Sequence, residues 1–393
     1  MELLLAFSVT LLVAVLISEL ANRTVISTAF LFLAVGFVLG GGVLDLLPER
    51  AGDPLVEQLA ELALFAVLFT DGMRVGLREL HQAWELPGRA LLLGLPAVLV
   101  ITALFAHWIT GLPWAESFLV GAILSPTDPV FAAAIVGHRE VPHRLRHLLN
   151  VESGLNDGLA LPVVLVLIAV VGDEPVHATS IGLELILGVV VGIAIPWIII
   201  RLEESRYFEV SSQYAPLHAF ALGLVLLSVT SLTHANAFLA AFAGGVTVAT
   251  VSPSVKDAFH RFGELVAELF KLASILLFGA LLSTQVVFQG VGWEAYAFAV
   301  LIIVAARPLS ILLSLLGTNL DWREWAVAAW FGPKGFASLI YALLAFHAAS
   351  AYAGRIFLVS AIAIGLSIVV HSSTDVLAVR WLRRHHVERG PEA

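Results

Sequence analysis

The chain has 393 residues, of which 59% are hydrophobic and 13% are charged, and its formal net charge is −9. Soluble domains carry about 25% charged residues, so this chain has too few charges to cover a soluble surface. The composition excludes a soluble globular protein and predicts an all-α protein that crosses a membrane many times. The sequence contains no cysteine, which excludes disulfides and cysteine-ligated metal sites.

Apolar runs of about 20 residues, the length that crosses a hydrocarbon core, recur between Gly, Pro and charged clusters. The first run follows no basic stretch, so we interpret it as a retained span and not as a cleaved signal peptide. A single transmembrane domain over residues 1–380 is expected, followed by a short tail at 381–393. About thirteen helices are predicted, near 3–20, 26–44, 55–73, 88–110, 114–137, 145–172, 180–201, 214–233, 236–251, 261–283, 292–316, 323–347 and 353–380.

The basic residues divide unevenly between the predicted connections. Sixteen of the 21 Lys and Arg residues lie in one alternating set of connections, two lie in the other, and three lie inside spans. An excess of positive charge marks the cytoplasmic side of a membrane protein. We therefore expect a multi-pass protein of the plasma (inner) membrane, with the amino terminus outside and the carboxyl terminus in the cytoplasm.

Two of the predicted spans are interrupted by proline. Span 5 contains SPTDP at residues 125–129, and span 12 contains GPKG at residues 332–335. Proline has no N–H and disfavours helical angles in the residue before it, so backbone carbonyls in both spans lose their helical partners. Lipid cannot satisfy these carbonyls, so both breaks must face protein or water. A pair of ordinary proline kinks is the alternative interpretation.

The two breaks occupy matching places in the chain, since helices 4–6 and helices 11–13 each contain a proline-broken span followed by a long one. This pattern predicts an inverted repeat of helices 1–6 and 8–13, with the discontinuous helices 5 and 12 crossing at the membrane midplane. Transporters of this plan place their ion or substrate sites at such a crossing.

Span 6 places four polar residues, Glu152, Ser153, Asn156 and Asp157, within an arc of about 140° on a helical wheel. Ionisable groups at membrane depth are normally paired or functional. We expect Glu152 to pair with Arg307 of span 11, because a guanidinium stays charged and can bind a carboxylate through two parallel hydrogen bonds. A purely structural polar cluster is the alternative.

Asp157 is then the acid that remains to exchange a proton for a metal cation. Hard monovalent cations prefer oxygen ligands. Thr127 and Asp128 of the first break and Ser153 of span 6 carry such oxygens. The sequence therefore predicts a cation site formed by these three residues and Asp157, with Lys334 of the second break nearby.

Two further charged groups are predicted to form ion pairs near helix ends. Asp71 is expected to pair with Arg74, three residues further along the same helix. Lys271 is expected to form a local ion pair with Glu264 and Glu268, because the spacing places them on adjacent turns of one helix.

Five motifs together resemble the NhaP-type sodium/proton antiporters and their relatives, the animal NHE exchangers. They are SPTDPV from residue 125, ESGLNDG from 152, ANAFLAAFAGGV from 235, ARPLSILL from 306, and the GPKG break, and the likeness covers about residues 3–380. The resemblance implies a homodimer and an elevator-like movement, with no cofactor and no nucleic acid as partner. The moving core would comprise about 88–172 and 292–380, and the dimerisation part about 1–87 and 180–290.

The resemblance also implies roles for single residues. Asp157 would carry the proton or the cation, and Asn156 would steady the break in span 5. An Asn before the carrier acid is typical of family members that exchange one cation for one proton without net charge movement. Many relatives have Arg where this chain has Lys334, which leaves the choice among Na⁺, Li⁺ and K⁺ open.

The predicted function is therefore exchange of a monovalent cation, Na⁺ first, for protons, which serves pH homeostasis. A sodium-coupled symporter of an organic anion is the main alternative, because two half-helix amino termini could hold a carboxylate. A channel with a continuous pore is a second alternative.

Overall fold

The computed structural model describes residues 1–18, 27–47, 53–74, 84–128, 141–172, 178–203, 214–282, 292–347 and 350–386. Within these residues the regular structure is entirely helical. The helices are α1 (Glu2–Leu16), α2 (Thr28–Leu39), α3 (Pro54–Arg74), α4 (Glu85–Thr110), α5 (Trp114–Ile123), α6 (His143–Val171), α7 (Ala178–Glu203), α8 (Ala215–Thr233), α9 (Ala237–Val251), α10 (Pro253–Leu281), α11 (Trp293–Ser314), α12a (Trp322–Trp330), α12b (Phe336–Phe346) and α13 (Ala353–His386).

The prediction of an all-α polytopic membrane protein is confirmed. Among the described residues, α4, α6, α7, α8, α11 and α13 are long and apolar enough to cross a membrane by length and composition. Five shorter apolar helices accompany them, and two of these, α5 and α12b, are short because each ends or begins at a break. Each predicted span contains at least one helix, while the count of thirteen membrane crossings stays a prediction.

Two helices extend well beyond their predicted boundaries. Helix α10 begins at Pro253, eight residues before the predicted start, because proline is favoured in the first turn of a helix and the charged residues after it leave the helix amphipathic. Helix α13 continues to His386 and includes the first residues of the predicted tail. The added residues, at 381–386, include one Leu and two Arg, which favour a helix outside an apolar environment as well.

Close packing between α3 and α9 depends on small residues. A Cβ atom on Gly72 would collide with the carbonyl oxygen of Phe242, and one on Gly245 would collide with the carbonyl oxygen of Phe69. The backbones of the two helices therefore approach more closely than larger residues would allow. Small residues at such contacts are the usual means of packing helices within a membrane.

Two groups of three helices position the breaks. Helices α4, α5 and α6 pack together, and so do α11, α12 and α13. The groups meet where α4 contacts α11 and where α5 contacts α12b and α13. From the rest of the molecule, α3 and α9 pack on α6, and α3 and α10 pack on α12b. The division into a core and a dimerisation part, predicted at 88–172 with 292–380 and at 1–87 with 180–290, remains a prediction.

Candidate functional site

The breaks predicted in spans 5 and 12 are present in the structure. Helix α5 ends at Ile123, and the chain continues without helical structure as far as Asp128. The continuation of span 5, at 129–137, lies outside the described residues. In span 12, residues 331–335 are non-helical and separate α12a from α12b.

The two breaks bind each other directly. The backbone N–H of Asp128 donates to the carbonyl oxygen of Pro333 at 2.9 Å. The N–H of Phe336, in the first turn of α12b, donates to Oδ2 of Asp128 at 3.1 Å. Lys334 reaches in the opposite direction, and its Nζ donates to the carbonyl oxygen of Pro126 at 3.3 Å. Each break therefore supplies hydrogen-bond partners to backbone groups of the other break, which have no helical partners because the helix is interrupted there.

Neighbouring side chains satisfy further backbone groups at the breaks. Pro126 deprives the carbonyl of Ala122 of its helical partner, and the hydroxyl of Ser125 donates to that oxygen at 2.9 Å. At the second break, Oγ of Ser367 accepts from the backbone N–H of Lys334 at 2.8 Å. Protein groups, and not lipid, thus satisfy these parts of the backbone, as the sequence requires.

The polar face of α6 lies against the first break. The side-chain amide of Asn156 donates to Oγ1 of Thr127 at 2.7 Å and makes a longer contact of 3.4 Å with the Thr127 carbonyl oxygen. Oγ1 of Thr127 is 3.2 Å from Oγ of Ser153. All three residues are buried. The structure therefore brings Thr127, Ser153 and Asn156 together, with the Asn amide fixing the orientation of the threonine.

Asp157 lies one residue further along α6 and is 4% exposed. Its Oδ1 atom is buried without a hydrogen-bond partner among the described residues. Its backbone carbonyl accepts from the hydroxyl of Tyr341 at 2.7 Å, which ties α6 to α12b. The charged groups that act on it are Asp71, Asp128, Lys271 and Arg74. Asp157 thus lies within electrostatic range of Asp128, the other carboxylate predicted to bind the cation.

Glu152 and Arg307 form a buried ion pair, as the sequence analysis expects. Nη2 of Arg307 donates to Oε2 of Glu152 at 2.9 Å, and Nη1 donates to Oε1. Nε of the same guanidinium makes a 3.3 Å contact with the carbonyl oxygen of Ala328, at the end of α12a. The aliphatic part of Arg307 fills the space beside Gly332, where a Cβ atom would collide with it. The pair therefore links α6, α11 and the second break.

Asp71 and Arg74 also form the expected pair, with Nη1 of Arg74 3.3 Å from Oδ1 of Asp71. Nη2 of Arg74 lies 3.7 Å from Oε1 of Glu264 on α10. The carboxylate of Asp71 is buried, whereas the side chain of Glu264 is 42% exposed. Glu264, Arg74 and Asp71 thus form a series of charged side chains between the surface and the neighbourhood of Asp157.

The predicted local ion pair of Lys271 is wrong. Nζ of Lys271 lies 3.9 Å from Oδ1 of Asp128, in the first break, and both side chains are buried. Gly263, Ala267 and Lys271 follow one another at four-residue intervals along the buried face of α10. Helical periodicity therefore turns Lys271 towards the protein interior, while Glu264 and Glu268 are only partly buried.

The sequence did not predict the ion pair between Arg144 and Glu324, in which the glutamate side chain is buried and the arginine side chain is 50% exposed. The guanidinium of Arg144, near the start of α6, donates to both carboxylate oxygens of Glu324 on α12a, and its Nε–Oε1 distance is 2.8 Å. Glu324 also accepts from the backbone N–H of Asp321 and so completes a capping box. The sequence does show the capping motif of Asp321 and Glu324. That motif already explains why a glutamate stands at this position, so it gives no reason to expect a partner such as Arg144.

Comparison with known proteins identifies the family. Residues 8–381 match the family model described as "Sodium/hydrogen exchanger, transmembrane". The chain is 26% identical to the K(+)/H(+) antiporter NhaP of Alkalimonas amylolytica, over 99% of this chain and 68% of that protein. It is 25% identical to the K(+)/H(+) antiporter NhaP2 of Shewanella sp. (strain MR-4), over 94% of this chain and 65% of that protein. The chain thus spans about two thirds of the length of these relatives.

A solved structure supports the same assignment at the level of the fold. The sodium proton antiporter MjNhaP1 from Methanocaldococcus jannaschii superimposes with a TM-score of 0.77 at 18% sequence identity, over 98% of this chain and 100% of that one. The family match covers both broken helices and the polar face of α6. The chain therefore belongs to the sodium/hydrogen exchanger family of transmembrane proteins.

Proposed function

We propose that this protein exchanges a monovalent cation for protons across the membrane, and that both ions bind at Asp157. One observation carries the proposal. Five acidic side chains are buried in the described part of the chain, and four of them lie within ion-pair distance of a basic residue. Those pairs are Asp71–Arg74, Asp128–Lys271, Glu152–Arg307 and Glu324–Arg144. Asp157 is the fifth acid, and no salt bridge among the described residues includes it.

A buried carboxylate without a fixed basic partner needs another source of positive charge. A proton and a metal cation can each supply one, but the two cannot occupy the same oxygen atoms together. Binding of either ion therefore displaces the other, and this competition couples their movements. Thr127, Ser153 and Asp128 offer the further oxygen ligands, and Asn156 holds Thr127 in place.

The stoichiometry follows from the same count of charges. Asp157 is preceded by Asn156, which cannot ionise, so the site has one acid whose charge is not already balanced. One cation would then be exchanged for one proton without net charge transfer. For the cation we propose Na⁺, with Li⁺ and K⁺ as further candidates. The support is divided, because the solved structure is named a sodium proton antiporter and both sequence relatives are named K(+)/H(+) antiporters.

The proposed movement follows the packing of the helices. Helices α4–α6 and α11–α13 carry both breaks and contact one another, while α3, α9 and α10 pack on α6 or α12b. We propose that the first group slides as a body against the second, which forms a homodimer in the plasma membrane with the amino terminus outside. The distribution of basic residues supports this orientation.

An organic-anion symporter is less well supported. Such a transporter would use the amino-terminal end of α12b to hold the anion. In this structure the N–H of Phe336 at that end already donates to the carboxylate of Asp128. An organic carboxylate would have to displace a buried acidic side chain that belongs to the protein.

The proposal is tested by flux measurements on the purified protein in proteoliposomes. Gradients of Na⁺, Li⁺ and K⁺ should each be compared for the proton flux that they drive, with pH varied between runs. The apparent KM for the preferred cation should fall as pH rises, because protons compete for the same carboxylate. A KM that does not change with pH would rule out a shared site, and sodium-driven uptake of a labelled organic anion without proton flux would favour the symporter.

A further inference from the structure

Lys271 brings a positive charge to the proposed ion site from outside the two groups of three helices. Its helix, α10, packs chiefly on α2, α3 and α8. Nζ of Lys271 lies 3.9 Å from Oδ1 of Asp128, and the two side chains are 4% and 5% exposed. The other oxygen of that carboxylate, Oδ2, accepts from the N–H of Phe336. The ammonium group therefore lies nearest the Asp128 carboxylate oxygen that does not accept from Phe336.

The charges around Lys271 come from several helices. Asp128 of the first break and Asp71 of α3 attract the ammonium, as does Glu268 on its own helix, whereas Arg74 of α3 repels it. Lys271 also acts on Asp157 of α6. A single fixed cation is thus shared by the carboxylates that the transported cation would bind.

We propose that Lys271 is a tethered cation of the ion site, which lowers the affinity of the site for the transported cation and so speeds the release of that cation. The inference rests on the proposed function and adds a residue to it. A metal cation that enters beside Asp128 and Asp157 meets the repulsion of the ammonium, which occupies one side of the Asp128 carboxylate. Lys271 would change the cation affinity through its charge. Its ion pair is with Asp128 and not with Asp157, the proposed proton carrier.

A charge of this kind has a measurable effect. Two unit charges a few ångströms apart at the effective dielectric constant of a protein interact strongly enough to change a binding constant by about tenfold or more. Lys271→Met keeps the length of the side chain and removes the charge. In this variant the apparent KM for the transported cation should fall about tenfold, and maximal turnover should fall with it as cation release slows.

The experiment compares three variants in proteoliposomes. Lys271→Arg retains the charge and should keep a KM close to that of the wild type. Lys256→Met removes a lysine near the start of the same helix and serves as the matched control. A purely structural ion pair predicts a different pattern, in which Lys271→Met lowers thermal stability and turnover but leaves KM unchanged. That pattern would overturn the proposal.

A binding measurement keeps the proposal testable in a variant that transports poorly. The rise in Tm on addition of NaCl or KCl to the detergent-solubilised protein reports cation binding without transport. In Lys271→Met this rise should occur at about one tenth of the wild-type cation concentration, and an unchanged concentration would overturn the proposal. Asp157→Asn separates the two hypotheses. If it abolishes exchange while Lys271→Met leaves KM unchanged, the proposed function stands and only the role of Lys271 falls.

Discussion

At the scale of single residues, the chemistry of the site depends on which buried charges have partners. Carboxylates are costly in a membrane, and this protein balances most of its buried ones with a base on another turn or another helix. Asp157 has the same side chain as Asp128 and lies in the same region, but none of the described basic residues lies within ion-pair distance of it. The proposed carrier Asp157 and its neighbour Asp128 therefore differ in their surroundings and not in residue type.

Replacement of Asp157 should abolish exchange without unfolding the protein. Asn has nearly the same size as Asp but can neither release a proton nor balance the charge of a cation. Asp157→Asn is therefore expected to reduce cation-driven proton flux to the level of empty liposomes, with an unchanged or raised Tm. Glu184→Gln, which removes an exposed carboxylate on α7, should transport like the wild type. Exchange that persists in Asp157→Asn would refute its role as the carrier.

Glu152 and Arg307 are expected to contribute to stability and not to ion binding. Truncation of either residue leaves the other as an unpaired buried charge, which typically costs about 3–5 kcal/mol. Glu152→Ala and Arg307→Ala should therefore each lower the Tm strongly in detergent. The double variant Glu152→Leu/Arg307→Met removes both charges and should recover part of the loss. Equal Tm values for the wild type and both single variants would contradict this role.

At the scale of helices, the two breaks are stabilised by contacts that each makes with the other and with the following long helix. Asn156 of α6 binds the first break, and Ser367 of α13 binds the second. Each broken span is thus held by the helix that follows it in the chain. This correspondence agrees with the inverted repeat and gives both breaks a defined geometry despite the loss of helical hydrogen bonds.

The contact between α3 and α9 offers a test at this scale. Gly72→Ala adds a Cβ atom that would collide with the backbone of Phe242, so the helices must separate. A loss of stability of about 1–3 kcal/mol is expected from overpacking of this kind. Gly182→Ala on α7 meets no neighbouring atom and should be neutral or slightly stabilising, since Ala favours a helix over Gly. The Tm values of the two variants, measured by thermal unfolding, test this expectation. Equal Tm values would contradict the close packing of α3 and α9.

At the scale of the whole molecule, the fold brings together parts of the chain that are far apart in sequence. Residues 126–128 meet residues 333–336 because two groups of three helices pack face to face. Helix α10 then adds Lys271 from a third region. The proposed ion site consequently lies at a junction between helix groups, where transporters with inverted repeats commonly bind their ions.

Charge balance over a complete transport cycle gives a prediction for the whole protein. One cation exchanged for one proton moves no net charge, so the rate of exchange should not depend on membrane voltage. Proteoliposomes clamped with K⁺ and valinomycin, and assayed with Na⁺ or Li⁺ as substrate, should show equal initial rates at zero and at negative potential. A rate that changes steeply with voltage would show that the stoichiometry is not one to one.

The sequence by itself determined the class of the protein, the helices, the two breaks and the acids of α6. These features depend on local chemistry, because apolar run length, proline geometry and helical periodicity act over a few residues. The pairing of Glu152 with Arg307 could also be predicted, since a buried carboxylate calls for a base and few bases lie within spans.

Only the tertiary structure decided which partners Lys271 and Glu324 have. Lys271 has acidic neighbours on its own helix, yet it pairs with Asp128, because the packing of α10 turns its side chain inward. Glu324 completes the capping box at the start of α12a, which would by itself explain the residue, yet it also binds Arg144 of α6. The lack of a described basic residue within ion-pair distance of Asp157 is likewise a property of the packed helices. Long-range pairing depends on how helices face one another, and the order of residues along one helix does not contain that information.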